Sequence, residues 1–397
     1  MVGALAAPLL LAMSSPLLVP PPSALAGTLE QLELVVAAQA ARDPALHARL
    51  ARALDAVAGA LHVFRGAREV AFSFNGGKDS TVVLHLLRLV LLRRRRDAAA
   101  AAAAAEAAAA RLAGVASATL APTSAPVPPL GAAVSAAAAA AALDSAAATA
   151  TAPLLPPPAS TAAAAVPSVA ASIPVVDCDI GGGLGGVRLV YFETRDNFPE
   201  VLRFMDETAA ALGVRLETLR GGFKAGLQRL LDEGARCVLM GTRRADPDGG
   251  LLEPFSPTSP GWPPLMRVSP ALALSYGDVW ALLRGARLPF CALYAEGFSS
   301  LGARHDSARN PALALAAAEG ALLAAARGRR CSGGGVGDSG VDGAGGGQED
   351  LSADNAELAS ALTEARARGA AFLPAWLLRD GALERAGRSG GGREAAR

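Results

Sequence analysis

The chain is short of cysteine, of net charge and of long apolar runs, and each shortage removes a class of function. Its four cysteines, Cys178, Cys237, Cys291 and Cys331, are scattered without a CxxC or a nearby histidine pair. Neither a zinc site nor a disulfide framework is indicated, and the cysteines read as reduced thiols in a reducing compartment. Lys and Arg number 37 against 36 Asp and Glu, a net charge of +1. Such a balance gives no electrostatic case for a nucleic acid or an acidic membrane as partner. No apolar run approaches the roughly 18 residues needed to span a bilayer. The first 27 residues carry an apolar run at Ala4 to Met13 and a small-residue site at Ala24-Leu25-Ala26, yet no Lys or Arg precedes Arg42. Residues 1–27 therefore read as a disordered leader, with a targeting segment as the alternative. The expected location is the cytoplasm, or an organelle if the leader is a signal.

What is abundant is equally restrictive. Residues 97–172 are almost wholly Ala, Pro, Ser and Thr, with almost no charge and no apolar stripe, and read as a disordered insert. Glycine dominates a second tract, assigned as a linker over 321–350, ahead of a C-terminal segment at 351–397. The remainder, 28–96 with 173–320, supplies most of roughly 260 residues able to pack, enough for one α/β domain.

Thr28 to Gln31 fits a capping box opening a helix to about Arg42, and Asp43-Pro44 restarts one with Leu46, Leu50, Leu54, Val57 and Leu61 as its stripe. Val70 to Phe74 then reads as a buried strand, Asn75-Gly76-Gly77 as a tight turn, and Ser80 to Leu92 as a packed helix. The arginines Arg93 to Arg96 that follow would complement that helix's C-terminal dipole. Two adjacent glycines at a helix start let successive N–H groups converge on a phosphate. The turn is not a Walker A loop: Phe72 stands where that pattern needs glycine, and Asp79 follows the lysine.

After the insert, strands at Val187 to Phe192, Val214 to Thr218 and Cys237 to Met240 alternate with helices at Pro199 to Leu212 and Phe223 to Gly234. This alternation predicts a parallel sheet flanked by helices, with ligands at the carboxyl ends of the strands. Three loops are singled out: Asn75 to Asp79, Glu193 to Phe198, and Gly241 to Asp248.

The loop Ser73 to Ser80, SFNGGKDS, resembles the SGGxDS pyrophosphate loop of PP-loop ATPases, the adenine nucleotide alpha hydrolase-like fold. Further segments follow: GTRRADPD at Gly241, FSPTSPGWPPLMR at Phe255, YGDVW at Tyr276, LYAEGFSSLG at Leu293, RNPAL at Arg309, PAWLL at Pro374 and ERAGR at Glu384. In that order they resemble the eukaryotic FAD synthases, whose catalytic domain is the phosphoadenylylsulfate-reductase-like PP-loop type. The resemblance implies adenylyl transfer from ATP to FMN, giving FAD and pyrophosphate with Mg²⁺. It assigns ATP to Ser73, Asn75, Gly76, Gly77, Lys78, Ser80, Tyr191, Phe192, Glu193 and Gly241. It places Asp79, Asp246 and Arg244 at the reacting centre, with Asp79 and Asp246 on the metal, and FMN against Trp262, Arg267, Arg385 and Arg388. Trp262 also reads as ordinary core, and Arg385 and Arg388 as a solvated tail. Small-molecule substrates, a monomer and flavin-accepting apoproteins are the expected partners.

The chain departs from that family at Ser259, where many members have Asp, and at Ser80, where many have Cys. No riboflavin kinase motif is present, and a molybdopterin-binding-like domain has no room before Thr28. A phosphoadenylylsulfate reductase would need a C-terminal catalytic cysteine in an ECGxH-like context, whereas Cys331 lies in CSGGG. A non-catalytic flavin-nucleotide binding module is the rival from outside enzymology.

Overall fold

A computed structural model describes residues 19–22, 28–65, 68–119, 184–247, 249–331 and 346–389. Its centre is a six-stranded sheet in the order β3-β2-β1-β4-β6-β5. The strands are β1 Val70–Ser73, β2 Arg188–Phe192, β3 Leu216–Leu219, β4 Cys237–Leu239, β5 Phe255–Pro257 and β6 Met266–Val268. All neighbours are parallel except β5, which runs antiparallel to β6 at the edge. The α/β class and the four strands expected from alternation are therefore present. The β5–β6 pair was not anticipated: three residues are too few to show a period of two, and Pro257 is tolerated because it stands on an edge strand.

Strand residues alternate between two cores, as both faces of a parallel sheet require. Phe72, Leu189 and Leu239 join one cluster, Ala71, Val190 and Val238 the other. The first core is covered by α1 Thr28–Arg42 and α2 Pro44–Val63. Asp43 accepts a 2.9 Å bond from the Leu46 amide to cap α2, with Pro44 in its first turn.

The next helix, α3, spans Lys78–Thr119, which corrects three expectations. It begins two residues earlier than the apolar stripe suggested, because Lys78 and Asp79 already belong to it. It does not stop at Leu92, so Arg93 to Arg96 cannot serve its C-terminus. They pin other helices: Arg93 and Arg96 pair with Glu33 of α1 at 3.2 and 2.6 Å, and Arg94 donates to the Ala58 and Leu61 carbonyls of α2. The favourable end-dipole contact exists, on a neighbouring helix. Finally, residues 97–119 are helical and not disordered, in keeping with the high helix propensity of alanine. The rest of the insert to 172, most of the leader and the glycine tract at 332–345 lie outside the described residues. The chain divides into a unit formed by Met1–Asp97 with Val176–Arg397 and a second unit, Ala98–Val175.

Beyond β2 come α4 Pro199–Ala211 and α5 Phe223–Asp232, and beyond β6 α6 Tyr276–Gly285, whose Ser275 and Asp278 form a capping box. Helices α7 Leu315–Cys331 and α8 Gly346–Ala367 enter both ends of the stretch expected to be linker. The C-terminal segment then packs through Trp376 on α6 and the stretch after it, its ring 5.6 Å from Trp280 and 5.5 Å from Phe290. Among the described residues no helix is long and apolar enough to cross a membrane.

Candidate active site

In the strand order, β1 leads to β2 and β3 on one side and β4 continues on the other, so the sheet changes direction between β1 and β4. A crevice opens at such a point because the two crossover connections leave on opposite faces. A cavity of about 210 Å³ lies there, lined by Ser73, Asn75, Asp79, Gly241, Asp246 and Arg385 among others. Five of the six come from the strand-end loops singled out by the alternation and from the end of β1.

The turn after β1 is self-braced. Gly76 adopts φ +70°, a conformation open to glycine, and Asn75 Oδ1 accepts from the Gly77 amide at 3.0 Å and the Ser80 hydroxyl at 2.7 Å. The Lys78 amide donates to the Tyr294 hydroxyl at 2.9 Å. Two of the loop's amides are thus committed within the protein, including that of Gly77, which the sequence reading had aimed at phosphate. Gly241 is needed for approach: a Cβ there would stand 2.6 Å from the Ser80 amide nitrogen. Its contribution is to let the β4 loop touch the start of α3.

The wall of the cleft holds a ring of four charges, of which Lys78, Asp79 and Glu384 line the cavity and Arg243 lies behind them. Lys78 Nζ is 3.0 Å from Asp79 Oδ2 and contacts Glu384 Oε1. Arg243 closes the ring, with Nε 2.7 Å from Asp79 Oδ1 and Nη2 against Glu384 Oε2. The Nε contact is off the N–H axis, so it is an ion pair without a formed hydrogen bond. Lys78 and Arg243 are only 2% and 1% exposed, which makes their pairing obligatory. Burial by itself would lower the Arg243 pKa, but Asp79 and Glu384 outweigh it and drive it up. Asp246 accepts from the Arg243 amide at 2.8 Å. Burial pushes its carboxyl above the ordinary range, a bias that a cation in the cleft would reverse.

Other assigned residues are placed differently. Arg244 is exposed and donates to the Gly250 carbonyl at 2.9 Å; its neighbour Arg243 is the guanidinium at the centre. Arg388 is held away by Asp306 at 2.8 Å while Arg385 lines the cleft, so the two do not share a face. Tyr191 and Glu193 line a second cavity of about 850 Å³ with Gly221 and Gly222. Phe192 points to the opposite side of the sheet, packed 4.4 Å from Phe223. Trp262 packs edge-on against Phe223 at 6.0 Å, and Arg267 donates to the Pro257 carbonyl. Neither lines the cleft, and Trp262 packs against the second core, as its reading as core had it. Asp248 lies outside the described residues.

Arg243, Glu384 and Tyr294 were missed as site residues. All three stand in quoted segments; what was lacking was a signal separating Arg243 from Arg244, or marking the glutamate beside the arginines in ERAGR. Among the described residues no group of three His, Cys, Asp or Glu side chains could hold a metal alone.

Comparison with known proteins agrees with this architecture. The family described as Phosphoadenosine phosphosulfate reductase domain matches residues 223–309. A probable FAD synthase of Caenorhabditis briggsae is 34% identical over 142 residues, 35% of this chain and 27% of that protein. One of Schizosaccharomyces pombe is 34% identical over 132 residues, 33% of this chain and 50% of that protein. The matches thus span half or less of these relatives' length. The crystal structure of Candida glabrata FMN adenylyltransferase in complex with FAD and inorganic pyrophosphate superposes with a TM-score of 0.50 at 17% identity, covering 94% of this chain and 100% of that one. The fold is the PP-loop fold of the phosphoadenylylsulfate reductase type.

Proposed function

We propose that the chain is an FMN adenylyltransferase, joining AMP from ATP to FMN to make FAD. The observation that carries the reading is the return of the C-terminal ERAGR segment to the β1 loop, where Glu384 meets Lys78 and Arg243 and Arg385 lines the same cleft. A nucleotide loop alone would serve many enzymes; a second, cationic segment folded onto it supplies a place for a second phosphate ester. The relatives named FAD synthase support the same choice.

In the reaction a phosphate oxygen of FMN attacks the α-phosphorus of ATP, and the bond to the β-phosphate oxygen breaks, releasing pyrophosphate. The nucleophile is already anionic, so no general base is required; placement and charge neutralisation are. The β1 turn and the start of α3 face the departing pyrophosphate with the positive end of the helix. Arg385 would hold the FMN phosphate, and Tyr191 and Glu193 the adenosine, since Ser73 pairs with Val190 and Tyr191 is the next residue along β2. Mg²⁺ fits Asp246, whose second carboxylate oxygen has no hydrogen-bond partner among the described residues, together with substrate phosphates; it would polarise the phosphoryl oxygens. Asp79 is less suited than the sequence suggested, because Lys78 and Arg243 already hold its oxygens.

At Cys237 and Cys291 reductase chemistry is disfavoured, since both thiols are buried and pushed up to about 12 and about 11. We further propose a monomer in the cytoplasm that hands FAD to apoproteins. Incubating the purified protein with ATP, Mg²⁺ and FMN and separating flavins by chromatography tests the activity. FAD formation is the expected result; tight flavin binding without FAD would leave a binding module.

A further inference from the structure

The segments LYAEGFSSLG and RNPAL matched the family without acquiring a role, and the structure places a buried polar pair in them. Asn310 is 0% and Ser299 1% exposed. The Asn310 amide nitrogen donates to the Ser299 hydroxyl at 2.8 Å and to the Leu383 carbonyl at 2.7 Å. The Ser299 hydroxyl in turn donates to the Glu384 carbonyl at 2.6 Å. Asn310 Oδ1 accepts from the Ala312 amide at 2.9 Å, so the amide group is committed on both sides and cannot be flipped without losing bonds. Two consecutive carbonyls of the C-terminal segment are therefore fixed immediately before Arg385.

The consequence runs through geometry. Glu384 must present its carboxylate to Lys78 and Arg243, and Arg385 must present its guanidinium to the cleft. With the backbone clamped at Leu383 and Glu384, successive side chains are directed to those two places. Without the clamp the segment keeps the Glu384 side-chain pairs to Lys78 and Arg243, and then Ala308 on Gly387 and Asp306 on Arg388, none of which fixes the backbone carbonyls just before Arg385.

We propose that Ser299 and Asn310 are positioning residues that act through the Leu383–Glu384 backbone to set Arg385 in the cleft. The proposal rests on the assignment of the FMN phosphate to Arg385. Such a relay predicts non-additivity, because a clamp has nothing left to position once the guanidinium is gone.

The experiment is a cycle of Ser299→Ala, Arg385→Ala and the double variant in the full chain, with KM for FMN and ATP, FMN binding by flavin fluorescence, and Tm. Ser299→Ala is expected to raise KM for FMN about tenfold with KM for ATP within about twofold, a modest misplacement by the standards of such effects. The double variant should be no worse than Arg385→Ala. Additive losses, or a lowered Tm with both KM values unchanged, would overturn the proposal. Asn310→Asp is read alongside, since it keeps the shape while removing both amide donations; a wild-type FMN affinity in that variant would count against the clamp. A wild-type protein that binds FMN but makes no FAD would refute the proposed activity while leaving the binding cycle decisive. One that does neither overturns both.

Discussion

Gly241→Ala is the sharpest test of how the cleft is built. The added methyl would lie 2.6 Å from the Ser80 amide nitrogen, 2.9 Å from its Cα and 3.1 Å from the Asp79 carbonyl carbon. All three are backbone atoms at the start of α3, so no side chain can swing away. Overpacking usually costs about 1–3 kcal/mol, and a clash against backbone belongs at the upper end. At about 2–4 °C per kcal/mol for a domain of this size, Tm should fall by about 6–12 °C. The loop and α3 must also part by roughly the missing ångström, which at a phosphate site should lower kcat/KM by about a hundredfold. Gly320→Ala in α7 is the control: nothing lies within 4 Å of its Cβ, and helix propensity should raise stability by up to about 1 kcal/mol. Thermal melts with steady-state FAD formation read both variants. A Gly241→Ala protein melting with the wild type and turning over normally would refute the close-approach account.

The adjacent guanidiniums should separate cleanly. Arg243→Met leaves Asp79 and Glu384 to share Lys78 and should cost about 3–5 kcal/mol, as broken buried pairs do, with activity lost. Arg244→Ala removes one exposed bond to Gly250, so kcat/KM should stay within about twofold; a larger loss would return Arg244 to the reacting centre. Asp246→Asn should abolish FAD formation and alter the pH dependence of stability. Folding raises the Asp246 pKa, chiefly by burial, so its contribution favours the fold below the ordinary value of 3.8 and is lost as pH rises through the higher one. The Asn variant can still accept from the Arg243 amide and should gain on the wild type in Tm as pH is raised through that window. A constant difference across it would remove Asp246 from the account.

The sheet and the location of the site were legible because both follow from local pattern. Apolar runs such as Val70 to Phe74 mark strands buried on two faces, and alternation with helices fixes where ligands bind. What was not legible depends on register. Tyr191 and Phe192 are equivalent in sequence, yet a period of two sends them to opposite cores. Arg243 and Arg244 are neighbours of one type, yet the first is buried on Asp79 and Glu384 and the second is exposed. The length of α3 was hidden by reading alanine as padding, although alanine needs no partner to remain helical. Nothing in ERAGR marks Glu384, because its two cations, Lys78 and Arg243, lie far away in sequence.

Those two cations also decide which charges can serve the reaction. Lys78, Arg243, Asp79 and Glu384 sum to zero, and the two cations are too buried to leave their carboxylates for an incoming phosphate. Opening the ring would strand a buried charge at a cost of several kcal/mol. Lys78, placed among ATP ligands by its motif, joins the β1 loop to the C-terminal segment while itself lining the cleft. Among the described residues lining the cleft, Arg385 is the remaining cation. In the proposed reaction Arg385 is taken up by the FMN phosphate, so neutralisation of the polyphosphate falls to the α3 dipole and a divalent ion. The ring's work is to hold three segments, 78–79, 243 and 384–385, in one place.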